Sequence, residues 1–212
     1  MKPCDVYSIT CSGKREVIED VTNFTEISET CFLFILVDGM GGLSRGMQAA
    51  RLIVLEVMSY ITSNIENENV EELLRHAMEQ ANRGIEEESR KYQCKMGGTI
   101  SILLCKDDTA SVAWLGDVRV YHIHDNILDK ITNEHILDSE PYIVTRCLNG
   151  KALEQEIPVV HLPIHKKDRF VLCSDGFYNT INEKDILKYK NEKLFSRIGE
   201  NDDNYSVTDI QF

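Results

Sequence analysis

The pattern of apolar and polar positions changes in character along the chain. Near the start, Val6–Cys11 alternates roughly and Cys31–Val37 is an unbroken apolar run. Both predict β-strands, and the unbroken run predicts one that is buried on both faces. Two stretches with helical periodicity follow, from Met47 to Ile61 and from Val70 to Ile85. They predict amphipathic helices that turn their apolar stripes to the core, and Asn69 is the expected N-cap of the second helix.

Short apolar segments dominate the rest of the chain, and after Gly97-Gly98 they predict an antiparallel meander. The meander strands are Thr99–Cys105, Ala110–Leu115, Val118–His124 and Ile127–Ile131. Pro141–Leu162 is less regular and is expected to be a surface excursion. The last part predicts a strand at Phe170–Cys173, helices from about Asn182 and about Asn191, and a final strand at Tyr205–Phe212. This order of elements indicates an α+β architecture, and a length of 212 residues favours a single domain, 1–212.

The formal net charge of −12 argues against whole classes of partner. A nucleic-acid partner requires clustered Lys and Arg, and the same acidic excess disfavours an anionic membrane surface. No stretch approaches the roughly 18 apolar residues of a membrane span, and no apolar signal segment stands at the N-terminus. Seven cysteines without a C-x-x-C pair predict reduced, mostly buried thiols. These features predict a cytoplasmic protein with neither a nucleic-acid nor a membrane partner.

Aspartates recur at the boundaries of the predicted strands. Asp38, Asp117 and Asp175 each follow an apolar strand, and Asp203 precedes the final one. A single aspartate beside a strand is usually a turn former, but four in this arrangement can converge on hard cations, which prefer oxygen ligands. The glycine-rich segment Asp38–Gly42 can bring backbone carbonyls close to the same ligand, and the chain lacks the pattern of a P-loop.

A series of short motifs runs from about Val6 to Phe212, each weak alone. They are Gly13–Asp20, Asp38–Gly42, Gly97-Gly98-Thr99, Gly116–Arg119, Leu128–His135, Thr145–Leu148, Ser174-Asp175-Gly176 and Asp203-Asn204. Together, in this order, they resemble the metal-dependent protein phosphatases of the protein phosphatase 2C group in their compact bacterial form. The resemblance implies a sandwich of two antiparallel β-sheets flanked by helices on both sides. It also implies hydrolysis of phosphoserine and phosphothreonine in proteins by a metal-activated water, opposing a Ser/Thr kinase.

The resemblance further implies a metal centre with two Mn²⁺ or Mg²⁺ ions and a third, weaker site. By position, Asp38 would bridge the two ions, the Gly39 carbonyl would bind one of them, and Asp175 and Asp203 would bind the other. Glu19 or Asp20 would hold metal-bound waters or orient the ligands, and Asp117 would contribute to the third site. Arg15 would bind the substrate phosphate through its forked donors. A flap at about 139–158 would lie beside the site, and the protein is expected to be a monomer.

Some positions depart from the family pattern. Met40 stands where many relatives carry a histidine that protonates the leaving group, so the general acid is unassigned. Ile18 and Leu43 replace residues that surround the metals in relatives. They leave open an alternative function, a pseudoenzyme or phosphoprotein-binding regulator that keeps the fold without turnover.

Histidines and cysteines raise further alternatives. His122 and His124 share one face of a strand, where they would either bind a metal or pack within the sheet. His135 is expected to have a structural role. No cysteine is followed by arginine at the spacing of a cysteine-dependent phosphatase, so Cys173 is expected in the core rather than as a nucleophile.

Overall fold

The computed structural model describes residues 1–40 and 45–212, so Gly41, Gly42 and Leu43 of the predictions above lie outside the described residues. The strands are β1 (Asp5–Cys11), β2 (Val21–Ser28), β3 (Cys31–Gly39), β4 (Gly98–Lys106), β5 (Thr109–Leu115), β6 (Arg119–His124), β7 (Ile127–Lys130), β8 (Ile136–Leu137), β9 (Glu140–Val144), β10 (Val159–Pro163), β11 (Arg169–Cys173) and β12 (Tyr205–Gln211). The helices are α1 (Gly46–Asn64), α2 (Val70–Tyr92), α3 (Asp175–Tyr178), α4 (Glu183–Lys188) and α5 (Asn191–Phe195).

Two five-stranded antiparallel sheets form the centre of the molecule. Sheet 1 has the order β1-β12-β11-β6-β7, and sheet 2 has the order β10-β5-β4-β3-β2. A separate hairpin pairs β8 with β9. Within the described ranges, no helix combines the length and apolarity needed to cross a membrane.

The unbroken apolar run of β3 is explained by burial on both faces. Leu33 and Ile35 pack with the apolar stripes of α1 and α2, whereas Phe32 and Phe34 pack between the two sheets. This alternation is what the period of two along a strand dictates when both faces are covered. Sheet 2 is therefore buried against the helices on one side and against sheet 1 on the other.

Sheet 1 is covered in the same way on its far side. Tyr121 and Val171 face α4 and α5, which contribute Ile186 and Leu194 to a third apolar layer. The layers run in the order helices, sheet 2, sheet 1, helices. The predicted sandwich of two antiparallel sheets flanked by helices on both sides is confirmed.

The expected N-cap at Asn69 is confirmed, and the helix expected from about Asn182 begins with a cap of the same kind. Asn69 caps α2, because its Oδ1 accepts the Glu72 backbone N–H at 3.0 Å. Asn182 caps α4 through the N–H of Asp185, again at 3.0 Å. Such caps satisfy donors that the first helical turn leaves unpaired.

The predicted meander is wrong as a single unit, because the chain changes sheets at Gly116. Strands β4 and β5 belong to sheet 2, and β6 and β7 belong to sheet 1. Gly116 has φ = +106°, and a Cβ there would lie 2.3 Å from the Thr99 side chain. Only glycine fits this turn, and the turn carries the chain across the sandwich.

The predicted surface excursion is also wrong at its end. Val159–Pro163 forms β10, which pairs antiparallel with β5 at the edge of sheet 2. The position of Pro163 at the end of an edge strand suits a residue that cannot donate a ladder hydrogen bond. The strand β2 (Val21–Ser28) was not predicted either, since four of its eight residues are Thr, Asn or Glu and its apolar alternation is weak.

Candidate metal centre

The registers of both sheets bring the strand-boundary aspartates to one end of the sandwich. Asp38 lies opposite Thr99 where β3 meets β4, and Asp117 lies in the turn between β5 and β6. Cys173 at the end of β11 lies opposite both Arg119 at the start of β6 and Val207 near the start of β12. Asp175 and Asp203 flank these last strand ends and therefore lie near Asp117.

A cleft of about 470 Å³ opens at this end of the molecule. Its lining is Arg15, Glu19, Asp38, Gly39, Met40, Thr99, Asp117, Tyr142, Val144, Asp175, Asp203 and Asn204. All the site residues expected from the sequence line it except Asp20. The structure thus brings together side chains from distant parts of the chain, and Arg15 and its partner Asp203 are 188 residues apart in the sequence.

Asp20 lies behind the cleft wall and is 4% exposed. Ser174 Oγ donates a hydrogen bond to Asp20 Oδ2 at 2.8 Å, and Ser206 N donates to Ser174 Oγ at 2.9 Å. Asp20 Oδ1 has no hydrogen-bond partner among the described residues. A buried carboxylate oxygen without a donor is costly, so this atom indicates that a proton or a cation belongs beside it.

Electrostatics in the cleft favour protons on the carboxyl groups. Burial raises the pKa of Asp38 well above its usual range, and the neighbouring charges of Asp20 and Asp175 raise it further. Burial raises the pKa of Asp20 to about 6 and that of Asp117 to about 6. Burial and the charge of Asp203 raise the pKa of Asp175. Too few positive charges stand among these groups, and an added cation would satisfy them as well as protons do.

Arg15 lies at the mouth of the cleft and pairs with Asp203. Its Nη2 donates to Asp203 Oδ2 at 2.9 Å, and both side chains are about half exposed. An exposed pair of this kind contributes about 1 kcal/mol or less. Either partner can therefore exchange the other for a stronger one, such as a phosphate group for Arg15 or a cation for Asp203.

Glu19 joins the cleft to the start of α1. Burial raises the pKa of Glu19, whereas the Arg15 guanidinium and the backbone amides of Gly46 and Met47 lower it. The residue at the N-cap position of α1 makes no side-chain cap of its own, and the carboxylate of Glu19 lies directly against Gly46 at the start of this helix. A Cβ on Gly39 would lie 2.4 Å from the Gly46 carbonyl, which shows how closely β3 and α1 approach here.

The carboxylates surround the cleft without closing around one point. Within residues 1–40 and 45–212, no three His, Cys, Asp or Glu side chains converge tightly enough to enclose an ion. An open arrangement of this kind suits Mg²⁺ or Mn²⁺ ions that keep several waters and are bound by one or two carboxylates each. It does not suit a structural metal ion that is enclosed by protein ligands. The orphaned oxygen of Asp20 and the raised carboxyl pKa values agree with that fit.

The histidines and Cys173 lie outside the cleft lining. His122 stacks on Phe170 with ring centroids 4.4 Å apart, and its Nε2 lies 3.0 Å from Asp168 Oδ2. The alternative of packing within the sheet is therefore correct for His122. Cys173 is fully buried in the layer beneath α4 and α5, so it lies in the core as expected.

Some residues that shape the site have no role predicted from the sequence. Asn204 Oδ1 accepts the Glu19 N–H at 2.8 Å, while its Nδ2 donates to the carbonyls of Ser12 and Val17 at 2.9 and 3.0 Å. These bonds fasten the loop that carries Arg15 and Glu19 to the start of β12. Asn204 was visible only as the second residue of the Asp203-Asn204 motif, because its partners are far away in the sequence.

Comparison with known proteins gives a consistent result. The family model described as "Protein phosphatase 2C" matches residues 11–209. The chain is 28% identical over 183 residues to the serine/threonine phosphatase stp of Listeria welshimeri, covering 74% of this chain and 72% of the relative. It is 30% identical over 175 residues to the protein phosphatase PhpP of Streptococcus pneumoniae, covering 73% of this chain and 70% of the relative.

A solved structure agrees with the fold. The catalytic domain of the serine threonine protein phosphatase PstP, in complex with two manganese ions, superposes with a TM-score of 0.84 at 22% identity. The superposition covers 98% of this chain and 97% of that domain. At this identity the likeness establishes a shared architecture.

Proposed function

Because the chain belongs to the protein phosphatase 2C family, we propose that the cleft described above is where it hydrolyses phosphoserine and phosphothreonine in proteins. The chain is a metal-dependent Ser/Thr protein phosphatase, and its cofactor is Mn²⁺ or Mg²⁺. The observation that best supports this use of the cleft is the buried Asp20 Oδ1, which lacks a donor beside the proton-seeking carboxyl groups of Asp38 and Asp175.

The residues that would hold two ions are Asp38, the Gly39 carbonyl, Asp175 and Asp203, and Asp117 would serve a third, weaker site. When bound, the ions supply Lewis acidity, which acidifies a water and screens charge on phosphoryl oxygens. Asp20 would act from behind the wall, since its bond from Ser174 fixes one carboxylate oxygen, while the other has no hydrogen-bond partner among the described residues. Glu19 would keep the start of α1 in place against the cleft.

Arg15 would orient the substrate. Its guanidinium is exposed by about half and lines the cleft. A phosphoryl group that enters can take two parallel hydrogen bonds from it, which the single contact with Asp203 does not offer. Release of Arg15 frees Asp203 at the same moment, so the phosphate grip and the carboxylate ligand become available together.

The cleft offers no histidine to protonate the leaving serine or threonine oxygen, at least among the described lining residues, where Met40 stands. We assign no side chain to that proton transfer. The described chemistry of the cleft consists of carboxylates, one arginine and a few neutral side chains, which suits binding and positioning of a phosphoester more than covalent attack by the protein.

The partners of the reaction are phosphorylated proteins. We further propose a cognate Ser/Thr kinase, a monomeric state and a cytoplasmic location. All seven cysteines are free thiols, which supports a reducing compartment. Light scattering at several protein concentrations tests the monomeric state, since a dimer would double the measured mass.

Phosphate release tests the function. A phosphothreonine peptide and p-nitrophenyl phosphate are each incubated with the protein in Mn²⁺, in Mg²⁺ and in EDTA. We expect turnover with one or both metals and none in EDTA. A folded protein that releases no phosphate under any of these conditions would instead support the phosphoprotein-binding pseudoenzyme, and binding of the same peptide would then be measured by calorimetry.

A further inference from the structure

The hairpin of β8 and β9 belongs to neither main sheet, yet it contributes to the cleft. Tyr142 and Val144 of β9 line the cleft together with Asp117, which lies in the turn between β5 and β6. The position of the hairpin relative to that turn is therefore set by the contacts at its base rather than by a sheet.

His135 stands at the base of the hairpin and bonds in two directions through its backbone. Thr145 N donates to His135 O at 2.7 Å, which closes the hairpin. His135 N donates to Gly116 O at 2.9 Å, on the residue just before Asp117. A single residue thus connects the hairpin with the turn that carries a cleft carboxylate.

The His135 ring adds a second bond to the same turn. Gly116 N lies 3.1 Å from His135 Nδ1 and donates to it. On the other side, Arg146 Nη1 lies 3.1 Å from His135 Nε2, while its Nη2 donates to the carbonyls of Gln155 and Glu156 at 2.9 Å each. Donors therefore approach both ring nitrogens, but a neutral imidazole accepts at only one of them.

The ring nitrogen that accepts a hydrogen bond is Nδ1, which faces the Gly116 amide. Arg146 already has two carbonyl acceptors, so it loses little if the ring does not accept from it. Burial and the Arg146 charge lower the pKa of His135 to about 4, which keeps the ring neutral at physiological pH. The tautomer with Nδ1 as acceptor and a proton on Nε2 follows from this arrangement.

We propose that His135 is a positioning residue for the phosphatase reaction. Its Nδ1 holds the Gly116 amide, fixes the turn that presents Asp117, and ties that turn to the hairpin that carries Tyr142 and Val144. The inference rests on the proposed function through the role of Asp117 as a ligand of the weaker site. His135 itself is absent from the described lining of the cleft, so it acts through Gly116.

Two isosteric substitutions separate the contacts of the ring. In His135→Asn, the amide oxygen can take the place of Nδ1, so the bond from Gly116 is kept and the contact with Arg146 is lost. In His135→Gln, the longer side chain reaches the place of Nε2 instead. His161→Asn is a matched histidine control, because His161 contacts Ser111 on sheet 2 and does not line the cleft.

Hydrogen exchange of the Gly116 amide in metal-free protein is the first readout, and the Mn²⁺ concentration at half-maximal p-nitrophenyl phosphate turnover is the second. We expect His135→Asn and His161→Asn to stay within about twofold of the original protein. His135→Gln should exchange at least about tenfold faster and need about tenfold more Mn²⁺, the usual loss when a residue that supports a metal ligand is removed.

Equal behaviour of the Asn and Gln variants in both readouts would overturn the proposal. If neither variant shows a cooperative thermal transition, exchange of the Gly116 amide in Arg146→Met tests whether the His135 ring or Arg146 holds the turn. Unchanged protection of the Gly116 amide in that variant supports the ring as the holder of the turn, and lost protection assigns that role to Arg146. The exchange experiment needs no turnover, so failure of the proposed function would not be mistaken for failure of this inference.

Discussion

The same two strands, β11 and β12, carry buried charge at both ends, but the two ends treat it in opposite ways. At the end away from the cleft, Arg169 and Asp209 are 1% and 0% exposed. Arg169 donates to both carboxylate oxygens of Asp209, at 2.6 and 2.9 Å, and also to the Ile186 carbonyl. Asn191 N donates to Asp209 at 2.8 Å. Each charge there is satisfied by hydrogen-bonding partners.

At the cleft end, Asp175 and Asp203 leave the same strands and meet Asp38 and Asp117. Arg15 is the cation that lines the described part of this cleft, and it is bound to Asp203. The pKa values of Asp38, Asp117 and Asp175 are all raised by burial. Among the described residues, Asp38, Asp117 and Asp175 form no ion pair with a protein cation, whereas Asp203 pairs with Arg15.

The fold thus separates residues that stabilise it from residues that bind ligands. A buried pair with complete hydrogen bonding fastens α4 and α5 to sheet 1 and needs nothing from solution. The buried carboxyl groups of Asp38, Asp117 and Asp175, which have no cationic partner among the described residues, destabilise the metal-free protein and favour the binding of cations. Both groups depend on the same register of β11 and β12. The end with the Arg169–Asp209 pair, called the balanced end below, therefore helps to position the strands that carry Asp175 and Asp203.

Removal of a central carboxylate should produce the largest effect. We expect Asp38→Asn to lower metal-dependent turnover of p-nitrophenyl phosphate by about a thousandfold, which corresponds to about 4 kcal/mol of transition-state stabilisation. In EDTA the same variant should be at least as stable as the original protein in urea unfolding, because a buried charge without a partner is gone. Asp5→Asn, on exposed β1, is the control and should change neither quantity. Near-full activity of Asp38→Asn would refute its assignment as a metal ligand.

The balanced end should respond in the opposite sense. Arg169→Met leaves Asp209 buried and unpaired, so the free energy of unfolding should fall by about 3–5 kcal/mol. Adding Asp209→Leu to Arg169→Met should recover most of the lost free energy of unfolding. In both the single and the double mutant, kcat per folded molecule should stay near that of the original protein. Arg197→Met, which removes a half-exposed arginine 3.9 Å from Asp185, should cost under about 0.5 kcal/mol. A destabilised double mutant would show that the pair does more than satisfy its own charges.

This contrast also shows what the sequence could reveal. The sequence indicated Asp38 and Asp175 as candidate ligands because each follows an apolar run that predicts a strand. The α+β architecture was expected from the order of elements, and the sandwich of two sheets was implied by the family resemblance. Those features are local, since they depend on a few neighbouring residues.

Other features depend on pairing between distant parts of the chain and could not be read. Ser174 reaches Asp20 across 154 residues, and Arg169 reaches Asp209 across 40. In the sequence, Arg169 stands beside an apolar strand and looks like any exposed arginine at a strand end. The change of sheets at Gly116 was missed for the same reason, because strand periodicity does not say which sheet a strand joins.

The free energy of unfolding should depend on pH by a few kcal/mol through the buried carboxyl groups at the cleft end. Asp20 releases its proton near pH 3.9 when unfolded but holds it to about 6 in the fold. Between these values the native state binds more protons, so its contribution to stability falls as pH rises through this window. His135, with its pKa lowered to about 4, acts in the opposite direction. The contribution of Asp20 to the pH dependence is therefore isolated by comparing the original protein with Asp20→Asn, since His135 is present in both.

We expect Asp20→Asn to gain stability relative to the original protein by up to about 3 kcal/mol between pH 4 and pH 7 in EDTA. Mn²⁺ should reduce that difference at pH 7, because bound cations take over the role of the proton. Urea unfolding at each pH measures both effects. A constant difference between the two proteins across this range would mean that Asp20 titrates in the fold as it does in the unfolded chain.

Arg15 should give the smallest change, and it tests the link between the two partners at the cleft mouth. Lysine keeps the charge but loses the fork of donors, so Arg15→Lys should lower kcat/KM for a phosphothreonine peptide by about tenfold, or about 1.4 kcal/mol. The unfolding free energy in EDTA should change by under about 1 kcal/mol, because the pair with Asp203 is exposed. Lys14→Met, which removes an exposed contact with Asp202, is the neighbouring control. If Arg15→Lys kept full kcat/KM, the phosphate would be held by other groups, and the pairing of Arg15 with Asp203 would be only a surface contact.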